Sequence, residues 1–277
     1  MTKVSRIVTV LVLAVIPSFL AAQFTAPEVA RRDFWESYLA EADITRAEAA
    51  GEGVTKPFRL YLKKDGTETR GFWKNVQERL PNGALDAWRY EIAAYRLDKM
   101  IGLNMIPPVV ERLFKGQPGD LSLFATAKFS LLKVMDDAIP IPPAATESNN
   151  KMKYHTRAFD CLIANDDRTQ QNILLTEDWR TILIDHSRAF RSDPEHTQRL
   201  IYGQNGFKTA SGRPMLFRQL PRSFVQAVRS LDAAKVKAAV GPYLTEEEIA
   251  AVMARREILL AEIDGLIKEK GEASVLY

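Results

Sequence analysis

The sequence predicts an α+β protein of two lobes, the first β-rich around one key helix and the second mostly helical. Three observations predict it. FRLYL at 58–62 and TRGFWKNV at 69–76 flank the turn KDGT, a β-hairpin pattern. LDAWRYEIAAYRLDKMI at 85–101 has helical periodicity and stops at Gly102. The last third reads as helices at about 221–229, 232–240 and 245–269, with Thr245 and Glu248 forming a capping box at the last start.

The other elements follow in order. Residues 23–50 are polar and helix-prone, with Phe34, Tyr38 and Leu39 on one side, and are expected to form a helical extension. The first lobe is expected over 51–135. Within it VVERLF (109–114) reads as a strand, Gly116–Gly119 as a turn and LSLFATAKF (121–129) as another strand. Residues 136–150, rich in Pro, Ala, Ser and Asn, read as a surface loop or lobe junction opening a second lobe over 136–270. Helix is expected at 151–164, then two short strands around a Glu177–Asp178 turn, a long polar loop at 191–214, and a tail at 271–277.

Composition bounds the function. The chain has 277 residues, 46% hydrophobic and 26% charged, enough for two lobes with a real core. Its formal charge is +3, and without residues 1–22 it carries 36 basic against 35 acidic groups. That leaves no field to hold a nucleic-acid backbone. Residues 1–22 read as an export signal: Lys3 and Arg6 form the basic start, Ile7 to Ile16 the apolar core, and Pro17 breaks the helix before a cleavage point near Ala22–Gln23. The apolar stretch is short for the roughly 20 residues of a membrane span. The expected location is therefore periplasmic or extracellular, with no stable span after cleavage. Cys161 is the only cysteine, so no internal disulfide forms, and its apolar run FDCLI implies a buried, inert thiol.

The chemistry concentrates in DCLIANDDRTQQNILLTEDWRTILIDHSRAF, residues 160–190. Asp167 is followed five residues later by Asn172, and Asp185 ends the apolar run TILID. Phosphoryl transfer asks a protein for positioning and charge neutralisation. Asp167 is suited to accept or orient an attacking hydroxyl; the offset to Asn172 favours it over its neighbour Asp166. Asn172 and Asp185 supply hard oxygen donors for a divalent metal. An acid ending four apolar strand residues is costly if it points inward unpaired. Upstream, Gly51 and Gly53 form a turn whose backbone can approach phosphates. Lys74 sits on the second hairpin strand, placed to hold phosphates. Glu91 on the following helix lies beside Trp88, Ile92 and Tyr95, and a buried carboxylate there wants a cationic partner such as Lys74.

Other polar groups carry less. His155, His186 and His196 are the only histidines, and no pair has metal-ligand spacing. His186 reads as a local hydrogen-bonding residue. No GxSxG elbow occurs. Arg168 and Arg188, beside the key acids, are placed to pair with Asp166 or to hold a phosphate, and read as structural ion-pair partners. Trp73, Trp88 and Trp179 read as packing residues.

These residues together resemble the atypical branch of the protein-kinase-like superfamily. That branch holds the phosphoinositide kinases, the HipA-type kinases and the secretory-pathway kinases of the Fam20 and four-jointed type. DRTQQN resembles the D-R-H-x-x-N catalytic loop, with Thr169 in place of His. IDHSRAF resembles the metal-binding I-D-x-G segment, with His186 and Ser187 replacing the usual pair. The Glu91 helix followed by GLNMIPP resembles the helix and strand lead-in of Fam20-like bacterial proteins. Over roughly residues 50–265 the resemblance implies a bilobal protein-kinase-like fold. It further implies ATP in the interlobe cleft, Mg2+ or Mn2+ between Asn172 and Asp185, and a hydroxyl acceptor on protein or glycan. A second reading is a non-catalytic module that keeps the fold and a nucleotide or metal site.

Overall fold

The computed structural model describes residues 24–51, 57–81, 83–200 and 216–277. The leader expected at 1–22, Gly53, and most of the loop expected at 191–214 lie outside these ranges. The first lobe opens with two helices, α1 (Ala26–Ala30) and α2 (Arg32–Glu41). A five-stranded antiparallel sheet follows, built from β1 (Asp43–Ala49), β2 (Phe58–Lys64), β3 (Thr67–Lys74), β6 (Val109–Phe114) and β7 (Gln117–Leu123), in the order β1-β2-β3-β7-β6. A small hairpin of β4 (Gln77–Arg79) and β5 (Leu85–Ala87) leads from β3 into α3 (Trp88–Ile101).

The β2–β3 hairpin turns through Asp65 and Gly66, both at positive φ, the primed geometry that an Asp-Gly pair favours. Alternation on β2 turns Leu60 and Leu62 to one face of the sheet. There they pack with Trp73, Phe114 and Leu121 against Tyr38 and Leu39 of α2. The opposite face carries Lys74 on β3 and its cross-strand partner Asp120 on β7, since paired residues point the same way.

The chain leaves the large sheet after Leu123 and crosses over residues 124–128 to β8 (Phe129–Ser130). β8 belongs to the second lobe, in a three-stranded sheet with β9 (Ile173–Leu175) and β10 (Thr181–Leu183). Helices α4 (Leu131–Asp136) and α5 (Pro143–Ile163) precede that β9–β10 hairpin, and α6 (Pro194–Gln198) follows it. After residue 215 come α7 (Arg222–Ser230), α8 (Ala233–Val240), α9 (Glu246–Lys270) and α10 (Glu272–Val275). The capping box at Thr245 is present. One hydrophobic core joins α3 to α5, α7, α8 and α9, so the helix of the first lobe is also part of the second. Among the described residues no helix is long and apolar enough to cross a membrane.

Several expectations need correction. Residues 43–49 form an edge strand rather than more helix, because β2 satisfies their backbone groups and Arg46 and Glu48 furnish the charged surface an edge tolerates. Residues 85–87 are strand, and the helix starts at Trp88. Gly119 lies inside β7, not in the turn; an added Cβ would come within 2.3 Å of the Lys74 carbonyl oxygen and 2.7 Å of the Trp73 ring. The expected strand at 121–129 is split by the crossing between sheets. The expected loop at 136–150 becomes helix from Pro143, a proline suited to the first helical turn. Residues 271–277 also dock: Leu276 bridges Leu220, and Arg222 N donates to the Tyr277 carbonyl at 2.9 Å.

Candidate active site

β3 ends at Lys74, whose side chain reaches α3 and the segment after β10 at once. Its Nζ lies 2.5 Å from Glu91 Oε1 and 3.1 Å from Asp185 Oδ1. Glu91 is 4% exposed, and its other oxygen lies 3.3 Å from Nδ1 of the fully buried His186. Burial works against the charged forms of both Lys74 and Glu91. For Lys74, the carboxylates of Asp185, Glu91 and Asp120 outweigh it and hold the ammonium well above its usual pKa. For Glu91, Lys74 and His186 outweigh it and keep the carboxyl well below its usual range.

Asp185 follows β10 with its backbone in the left-handed region, φ +61°, and Ser187 Oγ donates to Oδ1 at 3.4 Å. Such a backbone costs about 1–3 kcal/mol in a residue other than glycine and needs its surroundings to hold it. Asn172 ends the short 3-10 turn Gln170–Asn172 that leads into β9. Its carbonyl accepts from Ile184 N at 3.2 Å, so the Asn172 and Asp185 segments lie side by side. Asp167 is half-buried, and Arg188 Nη1 donates to its Oδ2 at 2.9 Å. Burial raises the Asp167 pKa; Arg188 opposes this, and Asp185, Asp166 and Asp86 add to it.

The oxygen donors fit a hard divalent cation. Asp185 is exposed and lies beside the Lys74 ammonium, and Asn172, on the neighbouring segment, is half-buried. Among the described residues no three Asp, Glu, His or Cys converge into a metal cage. Phosphoryl-transfer sites commonly need no such cage, because substrate phosphates and water complete the coordination.

Gly51 lies in the connection between β1 and β2, closed by Ala50 N donating to the Pro57 carbonyl at 2.8 Å. It is exposed, with nothing within 4 Å of an added Cβ. Gly53 is outside the described residues.

Several partners were not legible in the sequence. Asp120 is fully buried, with neither carboxylate oxygen hydrogen-bonded, across the strand pair from Lys74. Burial pushes its pKa well above the ordinary value, with Glu91 and Asp185 adding to the rise and Lys74 opposing it. Only the β3–β7 register brings it to the site, and a lone Asp in QPGDLSL carries no signal of that. Arg188 pairs with Asp86 of β5 as well as Asp167, linking the lobes through one guanidinium. Arg168 pairs with Asp160 of α5, while Asp166 pairs with Arg191. Cys161 is buried, and burial pushes its thiol up beyond the usual range. Trp73 donates from Nε1 to the Arg112 carbonyl at 2.9 Å, while Trp88 packs against Tyr243 and Trp179 against Phe129.

No protein-family model matches the sequence, and no curated protein matches it. Solved structures match its fold. Hydra Fam20, solved with sugar, is similar at TM-score 0.61 and 15% identity, covering 92% of this chain and 93% of that one. The Golgi casein kinase is similar at TM-score 0.59 and 15% identity, covering 89% and 78%, and it is also known with Mn and ADP bound. The Helicobacter pylori kinase CtkA is similar at TM-score 0.50 and 11% identity, covering 84% and 98%. The chain therefore has a bilobal protein-kinase-like fold. Identities of 11–15% speak for the fold alone.

Proposed function

We propose that the chain is an exported, ATP-dependent phosphotransferase that moves the γ-phosphoryl group to a hydroxyl of a protein or glycan. The observation that carries this reading is the convergence of Lys74, Glu91 and Asp185, drawn from a strand, a helix and a loop across both lobes. Lys74 holds nucleotide phosphates, and Glu91 fixes Lys74. Asp167 orients the acceptor hydroxyl and takes its proton; a raised pKa brings a carboxylate closer to the range useful for that task. Asn172 and Asp185 are the residues that would hold Mg2+ or Mn2+, which when bound offsets charge on the phosphate oxygens. A role for the Gly51–Gly53 turn over the phosphates belongs to the same proposal.

The test is nucleotide-dependent stabilisation and transfer. ATP with Mn2+ or Mg2+ is expected to raise the melting temperature of the purified chain, and Asp185→Ala to remove the shift. Radiolabel from the γ-phosphate is expected on an acceptor and to fall by about 10²–10⁴-fold in Asp167→Asn, the usual range for loss of a general base. No stabilisation by any nucleotide would sink the reading. One observation favours the second reading, a module that binds without transfer: Arg188 already occupies Asp167. Stabilisation by nucleotide with no transfer to any acceptor would decide for it.

A further inference from the structure

Arg168 stands one residue from Asp167, yet its side chain is 1% exposed and paired with Asp160 of α5. One edge of its guanidinium makes two parallel bonds to Asp160 of α5, Nε to Oδ2 and Nη2 to Oδ1, both 3.1 Å. Asp160 is itself fully buried and also accepts from Asn165 Nδ2 at 3.1 Å. The remaining nitrogen, Nη1, donates to two backbone carbonyls, Asn172 O at 3.1 Å and Ile184 O at 2.6 Å. Those carbonyls belong to Asn172 itself and to the residue before Asp185. One rigid side chain thus ties both donor-bearing segments to a core helix.

We propose that Arg168 is a positioning residue that sets the separation of Asn172 and Asp185 and through it the divalent-cation affinity of the site. This rests on the reading of those two residues as the metal donors. A buried ion pair is a poor source of stability, because desolvation offsets much of the attraction. What this pair supplies is direction. A planar fork with fixed angles holds one carboxylate and two carbonyls at once, which a lysine ammonium on a flexible stem does not reproduce. The bond to Ile184 O also pins the peptide entering Asp185, whose left-handed backbone needs restraint from outside. Partners that orient metal ligands typically change metal affinity by about 10–100-fold when removed.

The experiment compares the full chain with Arg168→Lys, Asp160→Asn and Asp185→Ala. Three quantities are read: thermal midpoint, ATP affinity without metal, and Mn2+ half-saturation in the presence of ATP, followed by the loss of the free Mn2+ paramagnetic resonance signal. Arg168→Lys is expected to leave metal-free ATP affinity unchanged and to raise Mn2+ half-saturation at least tenfold in chain that is still folded. If Arg168→Lys does not fold, Asp160→Asn loosens the same guanidinium from α5 and is expected to raise half-saturation likewise. A folded variant that binds Mn2+ within twofold of the unsubstituted chain overturns the role of Arg168, even where its thermal midpoint falls. Mn2+ binding that survives Asp185→Ala overturns instead the assignment of the metal residues on which the inference rests.

Discussion

At Lys74 three carboxylates compete for one ammonium, and the outcome defines the chemistry of the cleft. Glu91 and Asp185 are in direct contact with it, whereas Asp120 stands buried behind it without a hydrogen-bonding partner. An ionised carboxyl in that position is costly, so burial keeps Asp120 protonated to higher pH than an ordinary aspartate. The folded state then binds a proton more tightly than the unfolded state. The stability this contributes is fully present below the unfolded value, about 3.9, and is lost as pH rises through the raised folded pKa. Asp120→Asn cannot titrate. Its stability relative to the unsubstituted chain is expected to climb as pH rises from about 4 to 8 in denaturant titrations; a difference that stays flat across that range contradicts this account of Asp120. Lys74, Glu91, Asp167, Asn172 and Asp185 could be singled out from the sequence because order and spacing constrain them. Asp120 could not, because its neighbours on the chain say nothing of Lys74. Nor could the choice of Asp160 over Asp166 by Arg168, since Asp160 comes from a helix eight residues upstream.

Among the elements, α3 decides whether Glu91 faces Lys74, and it is fastened from two sides. Arg32 of α2 reaches its far end, with Nη2 2.8 Å from Asp98 Oδ1 and Nη1 2.7 Å from Asn104 Oδ1. Tyr95 and Lys99 both reach Glu36, at 2.5 and 2.7 Å. From the second lobe, Glu248 of α9 takes both Nη1 and Nη2 of Arg89, at 2.8 and 2.7 Å. Removing one partner of a buried pair leaves the other charge uncompensated, at about 3–5 kcal/mol. Arg32→Ala is expected to lower unfolding free energy by that order and to weaken ATP binding too, because it frees the helix that carries Glu91. Calorimetric stability with ATP titration checks this; a destabilised variant with unchanged ATP affinity would show that α2 supports the fold and not the site. α3 was legible from its helical periodicity, and α9 from the capping box at Thr245 that opens it. β1 was not, because DITRAEA gives only Ile44 to the α2-side core and is a strand through its pairing with β2. The start of α5 was hidden by a Pro-, Ser- and Asn-rich composition that resembles a loop, though Pro143 sits where a helix accepts it.

The whole molecule is two lobes sharing one helix, with the candidate site where they meet. Ala87 N donates to the Ser187 carbonyl at 2.8 Å, Leu183 N to the Met105 carbonyl at 2.9 Å, and Glu28 of α1 pairs with Arg180 beyond β9 at 2.8 Å. Because the large core runs through α3 into the second lobe, heat is expected to unfold both lobes in one cooperative transition. Two resolved calorimetric peaks would show lobes that stand independently. The bilobal architecture was readable in the sequence from the order of its elements, β-rich around one helix and then mostly helical. The exact crossing at 124–128 was not, since an apolar run such as LSLFATAKF does not announce a change of sheet. Export through residues 1–22 belongs to the proposal, as does the acceptor. The account stands most directly on metal-dependent nucleotide binding at Asp185. Calorimetric titration of ATP into the purified chain is expected to give one site per chain with Mn2+ present, much weaker binding without it, and loss of the Mn2+ effect in Asp185→Ala. ATP binding that ignores both Mn2+ and Asp185→Ala, or no ATP binding at all, would contradict it.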